Sequence, residues 1–151
     1  MRLTNRDRQI LKLLVSDNRT PNAEIADKVG MSHSACWRRI KAFEEAGIIS
    51  RYSAILDENK VGLNFRAIVL VSLNQHDQEA GPKFEQAMLE CEAVVGCFAT
   101  TGREDYSMLV VCEDINAYNE FLDSYLFKLG FVGSIQTNVI LKQIKRSGLG
   151  V

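Results

Sequence analysis

Long apolar runs are missing from this 151-residue chain: none approaches the roughly 20 residues that a membrane-spanning helix needs. Metal-ligand spacings are missing too. The four cysteines, Cys36, Cys91, Cys97 and Cys112, form no CxxC pair and no His/Cys cluster, which argues against a zinc site and against a disulfide framework. Each sits among apolar neighbours, so reduced, buried thiols in a cytosolic protein are expected. Histidine is limited to His33 and His76, in different halves of the chain. His33 lies between Ser32 and Ser34, but neighbours on a helix point apart and build no nucleophile, base and orienting acid. With no phosphate loop and no paired-carboxylate motif, no enzyme is expected and no cofactor is implied. The first residues are charged and carry a helix cap, unlike a secretory signal. A large charge excess is also absent. The net charge is −1, yet residues 1–62 carry 11 Lys+Arg against 8 Asp+Glu and residues 63–151 carry 7 against 11. Only the first half has a sign suited to a polyanion.

What the chain does have is concentrated in residues 20–47. Thr20 is placed to cap a helix that starts at Pro21, where a missing N–H costs nothing. Ile25, Ala26 and Val29 give that helix one apolar face. Gly30 ends it, Ser32 is a second N-cap candidate, and the next helix runs to Ala46 and stops at Gly47. Two short helices around a glycine turn have the form of a helix-turn-helix. Upstream, Thr4 with Asp7 three residues on is a capping-box pattern, and Ile10, Leu13, Leu14 and Leu3 form an inner face. Residues 1–50 therefore read as a three-helix, winged-type helix-turn-helix domain that binds double-stranded DNA.

In the last of these helices Cys36, Ile40 and Phe43 should face the core, with Ala35 and Ala42 beside them. The candidate DNA-contacting set is Asn22, Ser32, His33, Ser34, Trp37, Arg38, Arg39 and Lys41. Arg38 is suited to a bidentate pair with a guanine, and Ser34 or His33 to single hydrogen bonds with bases. Arg39 and Lys41 are placed for phosphates, which add affinity without reading sequence. Trp37 is read two ways: as a DNA contact, or as a ring lying flat over the edge of the small core. The plain alternative for the three cations is a solvated helix face. With so small a positive excess one head binds DNA weakly, so pairing of several heads on one duplex is expected.

After Gly47, residues 48–56 read as a strand that links to the second half, followed by a turn near Asp57–Asn59, so that residues 51–62 form a link. Residues 65–74 read as a strand, 79–91 as a helix bearing Phe84, Ala87, Met88 and Cys91 inward, and 94–101 and 106–112 as a hairpin. Asp114 caps a helix in which Ile115, Tyr118, Phe121, Leu122, Tyr125, Leu126 and Leu129 recur at helical intervals up to Gly130. Residues 132–144 supply a long last strand. The order β-α-β-β-α-β over residues 63–151 is ferredoxin-like, and the whole chain is α+β. The first strand is apolar on both faces: Phe65, Ala67, Val69 and Val71 on one, Ile68, Leu70 and Leu73 on the other. Two helices cover one face, so a second copy is expected on the other, giving a homodimer.

Taken in order, several stretches resemble the Lrp/AsnC family, the leucine-responsive and asparagine-operon type regulators. They are Asp7–Leu11, Asn22–Ala26, Ser32–Ile49, Thr101–Tyr106 and Val139–Lys145, and together they span essentially the whole chain. The resemblance implies a transcription regulator that dimerises through its C-terminal sheet and often assembles as an octamer of four dimers. It also implies a small effector, usually an amino acid, bound between dimers. Gly102, Asp105 and Tyr106 match the family's hairpin pattern, with Arg103 between them, and Thr137 matches a threonine of the last strand. Backbone N–H groups at a glycine turn suit a carboxylate, and an Asp suits an ammonium. Val139 stands where a second threonine is often found, which removes a hydroxyl. Cys36–Arg39 is similar to the branch of the family that handles sulfur amino acids. The alternative function is a metabolite-sensing or assembly protein of the same fold that does not bind DNA. The plain alternative for Gly102–Tyr106 is a hairpin turn whose Asp orders the loop.

Overall fold

The computed structural model describes residues 2–74 and 79–145; His76 lies outside them. The chain divides into two compact units, Met1–Ile55 with the chain from Ile144, and Leu56–Gln143.

The first unit is three helices: α1 (Asn5–Ser16), α2 (Asn22–Val29) and α3 (His33–Glu45). The expected capping box opens α1. Thr4 accepts from the Asp7 N–H, and the Asp7 carboxylate accepts from the Thr4 N–H at 2.7 Å. The start of α2 differs from expectation. Pro21 itself takes the N-cap position (φ −58°, ψ 142°), its carbonyl receives the Ile25 N–H, and Thr20 makes no cap. An extended ψ at Pro21 delays the first helical turn by one residue. Gly30 ends α2 at φ 65°, where a side chain would be strained. Ser32 then caps α3 by accepting from the Ala35 N–H at 3.3 Å. Ile10, Leu11, Ile25, Ala26, Val29, Cys36 and Phe43 form the buried core, with Ile40 packed at its margin.

The expected strand over residues 48–56 does not form. A strand needs a neighbour to take up its N–H and C=O groups, and no described segment of this chain pairs there. Tyr52, Ile55 and Leu56 stay exposed. Two side-chain bonds hold the segment instead: Asn18 Nδ2 donates to the Ser53 carbonyl, and Tyr52 Oη donates to Glu44. The turn at 57–59 becomes a 3-10 helix, Glu58–Val61.

The second unit is β1 (Phe65–Leu73), α4 (Ala80–Glu90), β2 (Val94–Ala99), β3 (Tyr106–Cys112), α5 (Ile115–Phe121) and β4 (Val132–Val139). The sheet order is β2-β3-β1-β4, all antiparallel, as the split βαβ topology requires. Ala67, Val69 and Val71 of β1 are fully buried against Phe84, Met88, Met108, Val110, Phe121 and Leu126. On the opposite face Ile68 is 41% exposed.

Three expectations change here. Leu73 packs with the inner core, because strand alternation places it on the same face as Ala67, Val69 and Val71; the register shift beside it skips Gly133 on β4 and leaves the β1 alternation intact. The helix after Asp114 is not continuous. Residues Leu122–Leu126 form a widened turn in which the Phe127 N–H reaches the Leu122 carbonyl, and a 3-10 turn follows to Gly130. That extra residue brings Leu126 to 0% exposure with Tyr125 at the surface; Ile115, in the first turn of α5, is exposed as well. The last strand ends at Val139, opposite Ala67; one further bond joins the Ile140 N–H to the Arg66 carbonyl. Of the cysteines, Cys36, Cys91 and Cys112 are buried thiols, but Cys97 is exposed, since it lies on the edge strand β2.

Candidate functional site

The polar face of α3 is built by its two ends. Gly30 and the Ser32 cap fix where the helix starts, and Cys36 and Phe43, both at 0% exposure, fix which side turns inward. Ser32, His33, Ser34, Trp37, Arg38 and Lys41 are then exposed. Arg38 carries no ion pair with a described residue. His33 Nε2 lies 3.4 Å from Asp27 Oδ1, and Ser32 and Ser34 hydroxyls are 3.4 Å apart.

Trp37 is 54% exposed and forms one wall of a shallow hollow of about 260 Å³, whose floor includes Leu14, Ile25 and Ile40. The ring therefore covers the core edge while keeping much of its surface open. Lys41 Nζ donates to Glu44 Oε2 at 2.7 Å, and this bond holds the ammonium above the ordinary lysine range. The other Glu44 oxygen receives Tyr52 Oη at 2.9 Å.

Two members of the expected DNA-contacting set have tasks inside the head. Asn22 Nδ2 donates to the His33 carbonyl at 3.0 Å and so ties the start of α2 to the start of α3. Arg39 is the larger departure. Its Nε and Nη2 donate to the two oxygens of Asp7 at 2.5 and 2.6 Å, and its guanidinium lies 5.3 Å from the centre of the Phe43 ring. The arginine beside Asp7 holds that carboxyl well below the usual carboxylate range. A helical face diagram separates Arg38 from Arg39 but says nothing of a carboxylate 32 residues away in sequence.

The effector candidates are likewise distributed. Gly102 and Arg103 are exposed on the β2–β3 hairpin, Gly102 at φ 152°. Asp105 closes the end of the β1–β3 pair. Its N–H donates to the Val71 carbonyl, its carbonyl receives the Thr100 N–H, and its Oδ2 receives the Leu73 N–H at 2.7 Å. That carboxylate thus satisfies an amide at the register shift, the loop-ordering task that a turn Asp performs. Tyr106 is buried on Phe84 and donates to Glu85 Oε1 at 2.8 Å; burial, then that bond, push its hydroxyl up to about 12. Thr137 lies on the helix-covered face and is hydrogen-bonded to the Tyr118 hydroxyl. The register places β1 between Tyr106 on β3 and Thr137 on β4, so these two do not converge within one chain. A groove of about 420 Å³ runs between α4 and β2, lined by Glu85, Met88, Leu89, Val95, Cys97 and Tyr106 among others. Among the described residues, no three His, Cys, Asp or Glu side chains gather as metal ligands, and no helix is long and apolar enough to cross a membrane.

A helix-turn-helix head followed by a ferredoxin-like βαββαβ unit defines the class: ligand-responsive transcription regulators that act by binding DNA. The chain matches the winged helix-turn-helix DNA-binding model over residues 3–50 and the Lrp/AsnC ligand binding domain over residues 66–149. The chain belongs to the Lrp/AsnC family. The transcriptional regulator AzlB of Bacillus subtilis is 30% identical over 96% of this chain and 92% of its own length. Among solved structures, a transcriptional regulator of Neisseria meningitidis in complex with L-methionine superposes with a TM-score of 0.92 at 33% identity, over 97% of this chain and 94% of that one. An AsnC family regulator of Agrobacterium tumefaciens gives 0.90 at 33% identity, over 96% and 94%.

Proposed function

We propose that this regulator reads DNA through the exposed side chains of α3 and answers to an amino acid, and that it acts in the cytoplasm by binding rather than by catalysis. The observation that carries the reading is Arg38, exposed and without an ion pair among the described residues, at the centre of a helix whose start and rotation are both fixed. Arg38 pairs with a guanine in the major groove, His33 and Ser34 add base contacts from the N-terminal turn, and Lys41 meets the backbone. Arg39 and Asn22 support these contacts without making them.

The partly apolar open face of the sheet, with Ile68 exposed, supports pairing of two copies there. Four such dimers in an octamer would supply the several heads that the weak positive excess of one head calls for. For the effector, the hairpin end is the favoured place. The backbone beside Gly102 and the Arg103 cation suit a carboxylate, and the second oxygen of Asp105 suits an ammonium. A relative holding L-methionine supports an amino acid as ligand. Tyr106 and Thr137 shape the fold around that place.

The test is a salt titration against duplexes selected by the protein from a random library. Binding to a selected duplex should weaken steeply with salt and survive competitor DNA. Arg38→Ala should relax base preference by about 1–3 kcal/mol at one position while the fold persists. A protein that enriches no sequence would favour the sensing role without DNA. Melting in the presence of each amino acid in turn identifies the effector by a raised midpoint.

A further inference from the structure

Asp7 is the one buried charged side chain among the described residues, 3% exposed. Its Oδ2 accepts from the Thr4 N–H at 2.7 Å, from Thr4 Oγ1 at 2.8 Å and from Arg39 Nη2 at 2.6 Å. Its Oδ1 accepts from Arg39 Nε at 2.5 Å. One carboxylate thus closes the cap of α1 and grips the middle of α3. The guanidinium it grips is flanked by Phe43, which is wholly buried.

We infer that Asp7 is a positioning residue for DNA reading: through Arg39 it sets the rotation of α3 and so aims Arg38, His33 and Ser34. The step from burial to aim is geometric. Arg38 and Arg39 are adjacent on the helix, so their directions differ by the fixed angle of one residue. A two-point fork from a planar guanidinium to a carboxylate tolerates little rotation. Turning α3 about its axis by about 10° shifts a side-chain tip on its rim by about 1 Å. That is enough to spoil a bidentate contact with a base. A phosphate contact, which depends on charge more than on angle, survives such a shift. Asp7 therefore acts on discrimination more than on general affinity. This inference rests on the reading of α3 as the DNA-contacting helix.

The experiment compares the full-length protein with Asp7→Asn on two probes: the duplex most enriched by the wild type from a random library, and a scrambled duplex of equal length. Circular dichroism at the assay temperature establishes that the head is folded. Asp7→Asn should lower the ratio of selected to scrambled affinity by about tenfold or more, the size of one lost bidentate contact. Affinity for the scrambled duplex should hold or rise, with a salt slope steeper by about one, because Arg39 is released. Thr4→Ala weakens the same cap without touching Arg39, so it should lower the melting point and leave the ratio intact. Should Asp7→Asn unfold the head, Arg39→Lys takes its place: it keeps a cation beside Asp7, loses the fork, and should lower the ratio. An unchanged ratio in the folded variant, or an equal loss in Thr4→Ala, overturns the inference. A wild type that enriches no duplex overturns the DNA reading itself, and this inference with it.

Discussion

The two halves of this chain treat buried polarity in opposite ways. The three-helix head surrounds seven buried apolar residues and one buried carboxylate, Asp7, which is ionised and held by Thr4 and Arg39. The sheet unit has thirteen buried core residues, none of them charged; their polar groups are the hydroxyls of Tyr106, bonded to Glu85, and Tyr118, bonded to Thr137, and the thiols of Cys91 and Cys112. A small core has little apolar area, so an ion pair that fixes one geometry is a large part of what defines it. A larger core is defined by packing, and its hydroxyls adjust detail. The head is therefore the half in which a single polar change should matter most.

The largest test of that contrast is Arg39→Ala. It leaves Asp7 buried without its partner and should cost about 3–5 kcal/mol. Hydrogen exchange should show lost protection across α1–α3 and retained protection in β1 and β3. Equal loss in both halves would erase the distinction. Met108→Ala is the matching change in the sheet, where the side chain is 1% exposed. It should cost about 2–5 kcal/mol, read as lost protection in β1, β3 and α4 with the head spared.

Acid and alkali should separate the halves next. Asp7 has a carboxyl depressed below its ordinary value of 3.8, so its stabilisation is complete above that value and is lost as the pH falls below it. Tyr106 has a hydroxyl raised from 10.0 to about 12, so its contribution is complete below pH 10 and is lost as the pH rises towards 12. Melting followed by exchange or by domain-specific probes should show the head failing first in acid and the sheet first in alkali. The smallest effect is expected from Tyr118→Phe, which removes one hydroxyl pair and should cost about 1 kcal/mol in the sheet alone. If it also changes the response to the effector, Thr137 does more than hold α5.

Most of the architecture was legible in the residues, because caps and periods are local. Thr4 with Asp7, Gly30, Ser32, Asp114 and Gly130 all mark element ends, and the α-β alternation of residues 65–139 led to the topology. What was not legible depends on partners distant in sequence. Residues 48–56 have the composition of a strand, but composition supplies no neighbour, and Tyr52 binds Glu44 instead. Leu73 was expected on the outer face, yet strict alternation with Ala67, Val69 and Val71 places it inward, and there it packs. The continuous helix expected after Asp114 breaks because a widened turn suits Leu126 better than the regular period does. In the candidate site, the exposed face of α3 could be read from Cys36 and Phe43. The roles of Arg39 and Asn22 could not, since each depends on a group in another helix or at another helix start. Asp105 was open to either an effector or a loop-ordering role, and its bond to the Leu73 amide shows that it orders the loop whatever else it binds.

Arg38 and Arg39 are neighbours in the chain and opposites in obligation. Arg39 is tied to Asp7 and Phe43, whereas Arg38 touches no described charge. On the reading proposed for α3, descendants of this protein can exchange Arg38 for another side chain, and with it the operator they recognise, while the head stays folded through every intermediate. The helix keeps its footing and its vocabulary on adjacent residues, and only the vocabulary is free to drift.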